Sequence, residues 1–288
     1  MKMNGLKHFV TEIAPKTWCL SEFNLVNTFL IEGEDKAVLI DTGCGIGNLY
    51  KSVRELTDKP LVVLLTHAHF DHDGGIEQFK DFPIYINEND GKNQSANMEN
   101  MKALFGTANL NEARRFYIKT RGPIRCPEID LEELYSLIPE DSTEHNYEYI
   151  PLEDGMDIDL GNRILHAIHT PGHTDGEMCI LDEQSRVLFS GDTANKGIIL
   201  MRQPDNDTRL IKICMNTMKK LWDIEDKYDV LGAGHDAVTM SKQIIKDYLD
   251  LTAGLLDGTI TGKYEESGFR KGDVARLGLA ELWYQCDA

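Results

Sequence analysis

The stretch Thr66-His67-Ala68-His69-Phe70-Asp71-His72 places three histidines and one aspartate within six residues. It follows residues 61–65, a continuous apolar run typical of a strand that is buried on both faces. Polar groups at the buried end of a strand cost free energy unless they find partners, so this density of them has little structural purpose. Imidazole and carboxylate are ligands of zinc, iron and manganese. The stretch therefore predicts a metal site at the end of a strand.

Three further candidate strands also lead into a residue that can bind a metal. They are residues 163–168 with His173, residues 187–190 with Asp192, and residues 230–231 with His235. Strand ends are where α/β architectures present functional groups. In the first stretch, two histidines can face one point while Asp71 and His72 face a second point a few ångströms away. Hydrolytic two-metal sites have ions about 3.5–4 Å apart, and Asp192 is the natural candidate to bridge them.

The rest of the chain indicates strands and helices around this site. Strands are expected at residues 17–20, 27–32, 37–41, 84–86 and 178–181, and helices at residues 48–56, around Ile211 to Trp222, and from an N-cap at Ser241 to near Gly258. The last thirty residues show no clear pattern. With no linker and no repeat, residues 1–288 are expected to form one domain.

Residues of about 90–146 differ from their surroundings. They are rich in Asn, Glu, Lys and Met, and Ala113, Phe116 and Tyr117 recur at helical spacing. Pro123, with other prolines, is expected to break this segment up. It predicts a mostly helical insertion, which either caps the site and selects the substrate or forms a lid without substrate contacts.

Charge and hydropathy limit the classes of partner. The chain of 288 residues has a formal net charge of -18, which repels nucleic-acid phosphates and anionic membrane surfaces. It has no apolar run long enough to cross a bilayer, and residues 1–10 lack the apolar core of a signal peptide. A cytoplasmic protein with a small-molecule substrate is therefore expected, and the pattern does not indicate an oligomeric state.

Five stretches, in this order, resemble the metallo-β-lactamase-fold superfamily. They are residues 39–43, 66–75, 170–174, 190–193 and 234–235. The resemblance implies a four-layer αβ/βα sandwich with the site at one edge. It implies that one metal binds His67, His69 and His173, that the other binds Asp71, His72 and His235, and that Asp192 bridges them.

The resemblance also implies a supporting role for Asp41, through a hydrogen bond to a histidine ring N–H. A surface or capping role for Asp41 is the alternative. The implied activity is that of a binuclear hydrolase with two divalent ions, Zn²⁺ by expectation and Fe or Mn as alternatives. A metal-bridging hydroxide would cleave an ester, thioester, lactone, amide or phosphoester bond in a small molecule. Either Asp71 or a metal-bound water would protonate the leaving group.

Two other functions remain open at this point. Persulfide dioxygenases resemble this fold and share the histidine-rich stretch, but they use one iron, so counting the metals would separate the two activities. A non-catalytic metal-binding module is the third possibility, although no ligand of the family pattern is missing here.

The residues after Asp192 do not follow a particular subfamily. Glyoxalase II-like relatives carry a Leu-Phe pair there, and lactonase-like relatives carry a Tyr at the position of Asn195. Asn195, Lys196 and Arg202 are candidates to bind the substrate, the two basic residues through an anionic group.

Overall fold

A computed structural model of the chain describes residues 6–92, 102, 106–140, 146–201, 208–267 and 270–286. The strands are β1 Phe9–Ala14, β2 Thr17–Glu22, β3 Val26–Glu32, β4 Ala37–Ile40, β5 Leu61–Leu64, β6 Ile84–Ile86, β7 Ile150–Pro151, β8 Asp157–Asp159, β9 Ile164–His169, β10 Met178–Asp182, β11 Val187–Gly191, β12 Gly197–Met201, β13 Val230–Ala233, β14 Met240–Ser241, β15 Lys263–Ser267, β16 Arg270–Leu277 and β17 Ala280–Cys286. The helices are α1 Leu49–Arg54, α2 Phe70–Asp73, α3 Glu88–Gly91, α4 Leu110–Arg125, α5 Leu131–Tyr135, α6 Arg209–Trp222 and α7 Gln243–Asp257, with 3₁₀ helices at Ile76–Phe79 and Glu225–Lys227.

Two large sheets form the centre of the fold. Strands β1 to β7 lie side by side in chain order, and the second sheet has the order β14-β13-β11-β10-β9-β8. Side chains alternate across each strand, so Val38 and Ile40 of β4 pack between the sheets while Leu39 faces outward. Phe29 and Phe189 meet across the interior with their ring centroids 5.0 Å apart. The interior between the two sheets is therefore an apolar core built by strand alternation.

Helices cover the outer faces of both sheets. Leu49 and Val53 of α1 pack on the first sheet beside Leu39. On the second sheet, α6 and α7 bury Met218 and Ile244 in one cluster with the outward-facing residues of β11 and β13. Each helix places an apolar stripe on the sheet and its polar residues toward solvent. The four layers confirm the predicted αβ/βα sandwich.

A third, smaller sheet was not predicted from the sequence. Its order is β12-β17-β16-β15, and β12 pairs in parallel with β17, which lies far away in the chain. The hydroxyl oxygen of Tyr248 on α7 lies 2.9 Å from the backbone oxygens of both Asn195 and Glu281, and its single proton can be donated to either. The C-terminal strands are thereby fixed next to the segment that follows Asp192.

The described part of the insertion is helical, as predicted, with α4 and α5 as its main elements. Tyr117 and Ile118 of α4 pack in one cluster with Cys44 and Phe70, beside the histidine-rich stretch. The expectation that Pro123 breaks the segment is wrong, because α4 continues through it to Arg125. A proline in the last turn removes only one N–H donor near the end of a helix.

Helix α7 begins differently from the prediction. Its N-cap position is Lys242, while Ser241 belongs to β14. The Ser241 hydroxyl still accepts a hydrogen bond from the N–H of Gln243 at 3.2 Å. Among the helices of the described residues, none combines the length and hydropathy needed to cross a membrane.

Candidate metal centre

The ends of strands from both sheets meet at one edge of the sandwich. The histidine-rich stretch follows β5, Asp192 follows β11 and His235 follows β13, as the sequence predicts. Two backbone hydrogen bonds connect the sheets here. The N–H of Met178 donates to the oxygen of Thr66 at 2.9 Å, and that of Asn27 donates to the oxygen of Gly234 at 2.7 Å. The loops that carry the candidate ligands are therefore held together by the backbone itself.

His67, His69 and His173 direct three ring nitrogens toward one point. Nδ1 of His69 lies 3.1 Å from Nε2 of His67 and 2.9 Å from Nε2 of His173. Ligand nitrogens about 2.0–2.1 Å from a tetrahedral zinc would be roughly 3.3 Å apart. The three imidazoles are thus spaced for one small divalent ion.

Asp71, His72 and His235 form a second group next to the first. Nε2 of His235 lies 3.3 Å from Oδ2 of Asp71. Asp192 lies between the two groups. Its Oδ1 is 3.5 Å from Nε2 of both His72 and His235, and its Oδ2 is 3.7 Å from Nε2 of His173. One carboxylate oxygen thus faces each group, which is the arrangement of a bridging ligand.

Two buried atoms of this cluster lack hydrogen-bond partners within the described part of the chain. They are Nε2 of His72 and Oδ1 of Asp192. Buried polar atoms are nearly always satisfied in folded proteins, so each exception calls for an explanation. Both atoms are metal donors, and both lie where the two ligand groups meet. The residues present therefore fit divalent cations.

Hydrogen bonds behind the ligands fix the orientation of the rings. Asp41 follows β4 in the left-handed region, with φ +60°, and its Oδ2 lies 2.8 Å from Nδ1 of His72. Nδ1 of His173 lies 2.9 Å from the oxygen of Ile199, and Nδ1 of His235 lies 3.0 Å from that of Leu25. An acceptor at Nδ1 places the proton there and leaves Nε2 free to bind a metal.

The protonation states differ between the two donor groups. Burial lowers the pKa of His67 well below its usual value and that of His69 to about 3, so both imidazoles are neutral. Burial opposes ionisation of Asp192, but His235 and His72 hold its pKa well below the ordinary value. Burial likewise opposes a charge on His72, but Asp192 and Asp41 raise its pKa. His67 and His69 thus offer neutral nitrogens and Asp192 an ionised carboxylate, whereas His72 holds a proton that a metal ion at Nε2 would displace.

Three residues that support the cluster were not identified from the sequence. Oε1 of Glu177 accepts the N–H of Asp192 at 2.7 Å and lies 3.8 Å from Nδ1 of His67. The Tyr117 hydroxyl donates to Oδ2 of Asp71 at 3.2 Å. A signal existed for Glu177, because it is a single acidic residue at the start of an apolar strand and close to the His173 motif.

Asp90 is the third of these residues, and it joins the two loops that carry His69 and His173. Its carboxylate accepts the Thr174 hydroxyl at 2.8 Å, the N–H of Gly176 at 2.9 Å and the N–H of Ala68 at 3.3 Å. The sequence showed Asp90 only as the beginning of the insertion.

Two glycines permit the close approach of these groups. Gly191 has φ +48°, and a Cβ atom there would lie 2.7 Å from Oγ1 of Thr66. A Cβ atom on Gly234 would lie 2.6 Å from Cε1 of His72 and 3.0 Å from Oδ1 of Asp192. Any larger residue at Gly234 would push His72 and Asp192 out of place.

The three candidate substrate residues lie beyond the ligands. Asn195 is buried, and its Oδ1 accepts the N–H of Gly197 at 2.9 Å. The side chain of Lys196 is exposed, and its backbone N–H donates to Asp236. Arg202 lies outside the described residues. Their roles toward a substrate stay predictions.

Comparisons with known proteins agree with this architecture. Acyl-coenzyme A thioesterase MBLAC2 of Homo sapiens is 29% identical over 62% of this chain and 61% of its own length, so the match spans about three fifths of each protein. Hydroxyacylglutathione hydrolase GloC of Haemophilus influenzae is 27% identical over 72% of this chain and 84% of its own. Among solved structures, a metallo-beta-lactamase family protein from Thermus thermophilus superimposes with a TM-score of 0.58 and 21% identity, covering 86% of this chain and 82% of that one.

The family match covers most of the chain and includes all the proposed ligands. Residues 22–235 match the family described as the metallo-beta-lactamase superfamily. This range begins at Glu22 in β2 and ends at His235, the last of the clustered histidines. Together with the sandwich and its clustered histidines and aspartates, the match shows that the chain belongs to the metallo-beta-lactamase superfamily.

Proposed function

We propose that this protein is a hydrolase with two divalent metal ions, and that it cleaves an acyl thioester of a small molecule. The observation that carries the proposal is the position of Asp192 between two complete donor groups, one oxygen facing each. A one-metal site would not require the second group of Asp71, His72 and His235.

The relatives favour a thioester among the bonds that such a site can hydrolyse. One is named an acyl-coenzyme A thioesterase and another a hydroxyacylglutathione hydrolase. Both names describe release of an acyl group from a carrier. The identities of 29% and 27% support the reaction class and leave the acyl group and the carrier open.

The donor set favours zinc, with iron and manganese as alternatives, because it consists of imidazole and carboxylate without thiolate. His67, His69 and His173 would hold one ion, Asp71, His72 and His235 the other, and Asp192 both. When bound, two such ions lower the pKa of a water molecule and polarise the carbonyl oxygen of a substrate.

The side chains around the ligands have defined roles in this proposal. Asp71 lies at the rim of the second group and is the candidate to carry a proton to the leaving group. Burial keeps Tyr117 neutral by raising its pKa well above the ordinary value, so its hydroxyl remains a donor to Asp71. Asp41 and Glu177 hold His72 and Asp192 in place without facing the substrate.

The test is hydrolysis by purified protein that has been stripped of metal and reloaded with zinc, iron or manganese. The substrates are thioesters, oxygen esters, lactones, β-lactams and phosphodiesters. We expect thioesters to give the highest kcat/KM, and we expect Asp192→Asn to lose at least 1000-fold, about 4 kcal/mol of transition-state stabilisation. Asp229→Asn, which changes an exposed carboxylate paired with Arg186, is the matched control. Oxygen consumption with one bound iron, or no preference for thioesters, would contradict the proposal.

A further inference from the structure

Helix α4 presents a row of polar side chains toward the metal centre. Tyr117, Arg121 and Arg125 are spaced four residues apart, so they share one face of the helix. Tyr117 reaches the candidate ligand Asp71. The two arginines continue this face beyond Tyr117, and Arg121 is buried, with 8% of its surface exposed.

Arg125 is fixed beside the candidate ligand His235. Its Nη1 donates to the oxygen of Leu25 at 3.2 Å, and the same oxygen lies 3.0 Å from Nδ1 of His235. Its Nη2 lies 3.3 Å from Oδ1 of Asp236, the residue that follows His235. Arg125 therefore borders the metal centre, and one carboxylate faces it.

A third arginine, Arg270 of the C-terminal sheet, lies close to the segment that contacts Asp236. Oδ2 of Asp236 accepts the N–H of Lys196 at 3.3 Å, and an ideal Cβ on the next residue, Gly197, would lie 2.9 Å from Nη1 of Arg270. Nε of Arg270 is buried and has no hydrogen-bond partner among the described residues. Its guanidinium carbon is 6.0 Å from the centroid of the Trp283 ring.

The effects of neighbouring charges on Arg121 indicate that Arg121, Arg125 and Arg270 lie near one another. Burial lowers the pKa of Arg121, and Arg125 and Arg270 lower it further, whereas Tyr117 and Asp236 raise it. Like charges have this effect only when they lie near one another. Such a grouping of positive charges is unexpected in a chain with a net charge of -18.

We propose that Arg121, Arg125 and Arg270 form an anion subsite beside the metal centre and bind a phosphate group of the substrate. Guanidinium groups offer planar pairs of N–H donors that match phosphate oxygens, and a doubly charged group can satisfy donors from both α4 and the C-terminal sheet. A singly charged carboxylate fits less well, since it offers two oxygens in one plane. This inference rests on the proposed function and names its substrate class, a phosphate-bearing acyl thioester.

Calorimetric titration of inorganic phosphate into the full chain tests the subsite. We expect Arg270→Gln and Arg121→Gln each to weaken phosphate binding at least tenfold, and Arg186→Gln, at an exposed ion pair, to leave it unchanged. Acetate should bind at least tenfold more weakly than phosphate. Arg121→Lys, which keeps the buried charge, separates loss of binding from loss of folding if Arg121→Gln does not fold. Equal binding of phosphate and acetate would contradict the phosphate assignment.

Phosphate can also bind to metal ions, so the titration is repeated in Asp192→Asn. Binding that persists there and depends on Arg270 supports the subsite, whereas binding that disappears there, or survives both arginine substitutions, overturns it. With substrates, Arg270→Gln should raise KM at least tenfold for a phosphate-bearing thioester and leave KM for a neutral thioester within twofold. If no thioester is hydrolysed, the proposed function fails while the phosphate titration still decides the subsite.

Discussion

Asp41→Asn is a small change with a large expected effect on the metal centre. In the native chain the Asp41 carboxylate accepts the N–H and the hydroxyl of Thr66 and lies 2.8 Å from Nδ1 of His72. Asparagine tolerates the left-handed backbone of this position, so the local fold should persist. Its amide still accepts the Thr66 N–H through one oxygen. The NH₂ group then faces Nδ1 of His72, which favours the ring form that carries its proton on Nε2, the atom intended for the metal.

The size of the effect follows from the bond that is lost. A buried hydrogen bond to a charged group contributes about 1.5–3 kcal/mol. Each 1.4 kcal/mol corresponds to a tenfold change in an equilibrium constant, so metal affinity should fall about 10- to 100-fold. Asp229→Asn removes an exposed carboxylate of the same chemistry and should change metal affinity by less than about twofold.

Competition with a chelator of known affinity measures the two metal-binding steps. Urea unfolding of the metal-free chain measures stability separately, and we expect a loss of about 1–3 kcal/mol for Asp41→Asn. If folded Asp41→Asn binds both metals within threefold of the affinity of the unchanged chain, the Asp41–His72 hydrogen bond does not support metal binding.

Three further predictions concern stability and activity. Burial lowers the pKa of His8 to about 4, so its contribution to the free energy of unfolding is fully retained above pH 6.5 and falls by about 3 kcal/mol as the pH drops from 6.5 to 4. Unfolding of His8→Leu should therefore depend less on pH in this window. An unchanged pH dependence would contradict this prediction. Asp182→Ala leaves the buried guanidinium of Arg163 without its carboxylate and should lower the free energy of unfolding by about 3–5 kcal/mol in urea titrations, whereas a loss below about 1 kcal/mol would exclude a desolvated pair. Tyr117→Phe removes the donor to Asp71 but keeps the ring, so kcat/KM should fall about tenfold with a stability loss of about 1 kcal/mol, and unchanged kinetics would show that this hydrogen bond does not assist the site.

The sequence predicted which side chains would cluster at the sheet edge because the signal is local. His67, His69, Asp71 and His72 lie in one short stretch directly after an apolar run, and parallel strands bring their carboxyl ends to the same edge of a sheet. His173, Asp192 and His235 could be added because each follows another candidate strand. The structure places all seven side chains in one cluster.

The residues that position the ligands carry a weaker signal in the sequence. Glu177 and Asp90 are single acidic residues, and only tertiary contacts bring Glu177 to Asp192 and Asp90 to Thr174. The third sheet was missed for a similar reason. Strand β12 finds its partner β17 far along the chain, and no local periodicity reveals such a pairing. Arg270 on β16 could therefore not be associated with α4 from the sequence alone.

The number of metal ions bound by the folded chain and by two ligand variants tests the proposed two-metal centre. Inductively coupled plasma mass spectrometry after removal of free metal gives this number. We predict two divalent ions per chain in the unchanged protein, one in His69→Ala, which disrupts the first donor group, and one in His235→Ala, which disrupts the second. A single ion in the unchanged protein, with no further loss in His235→Ala, would contradict a two-metal centre bridged by Asp192.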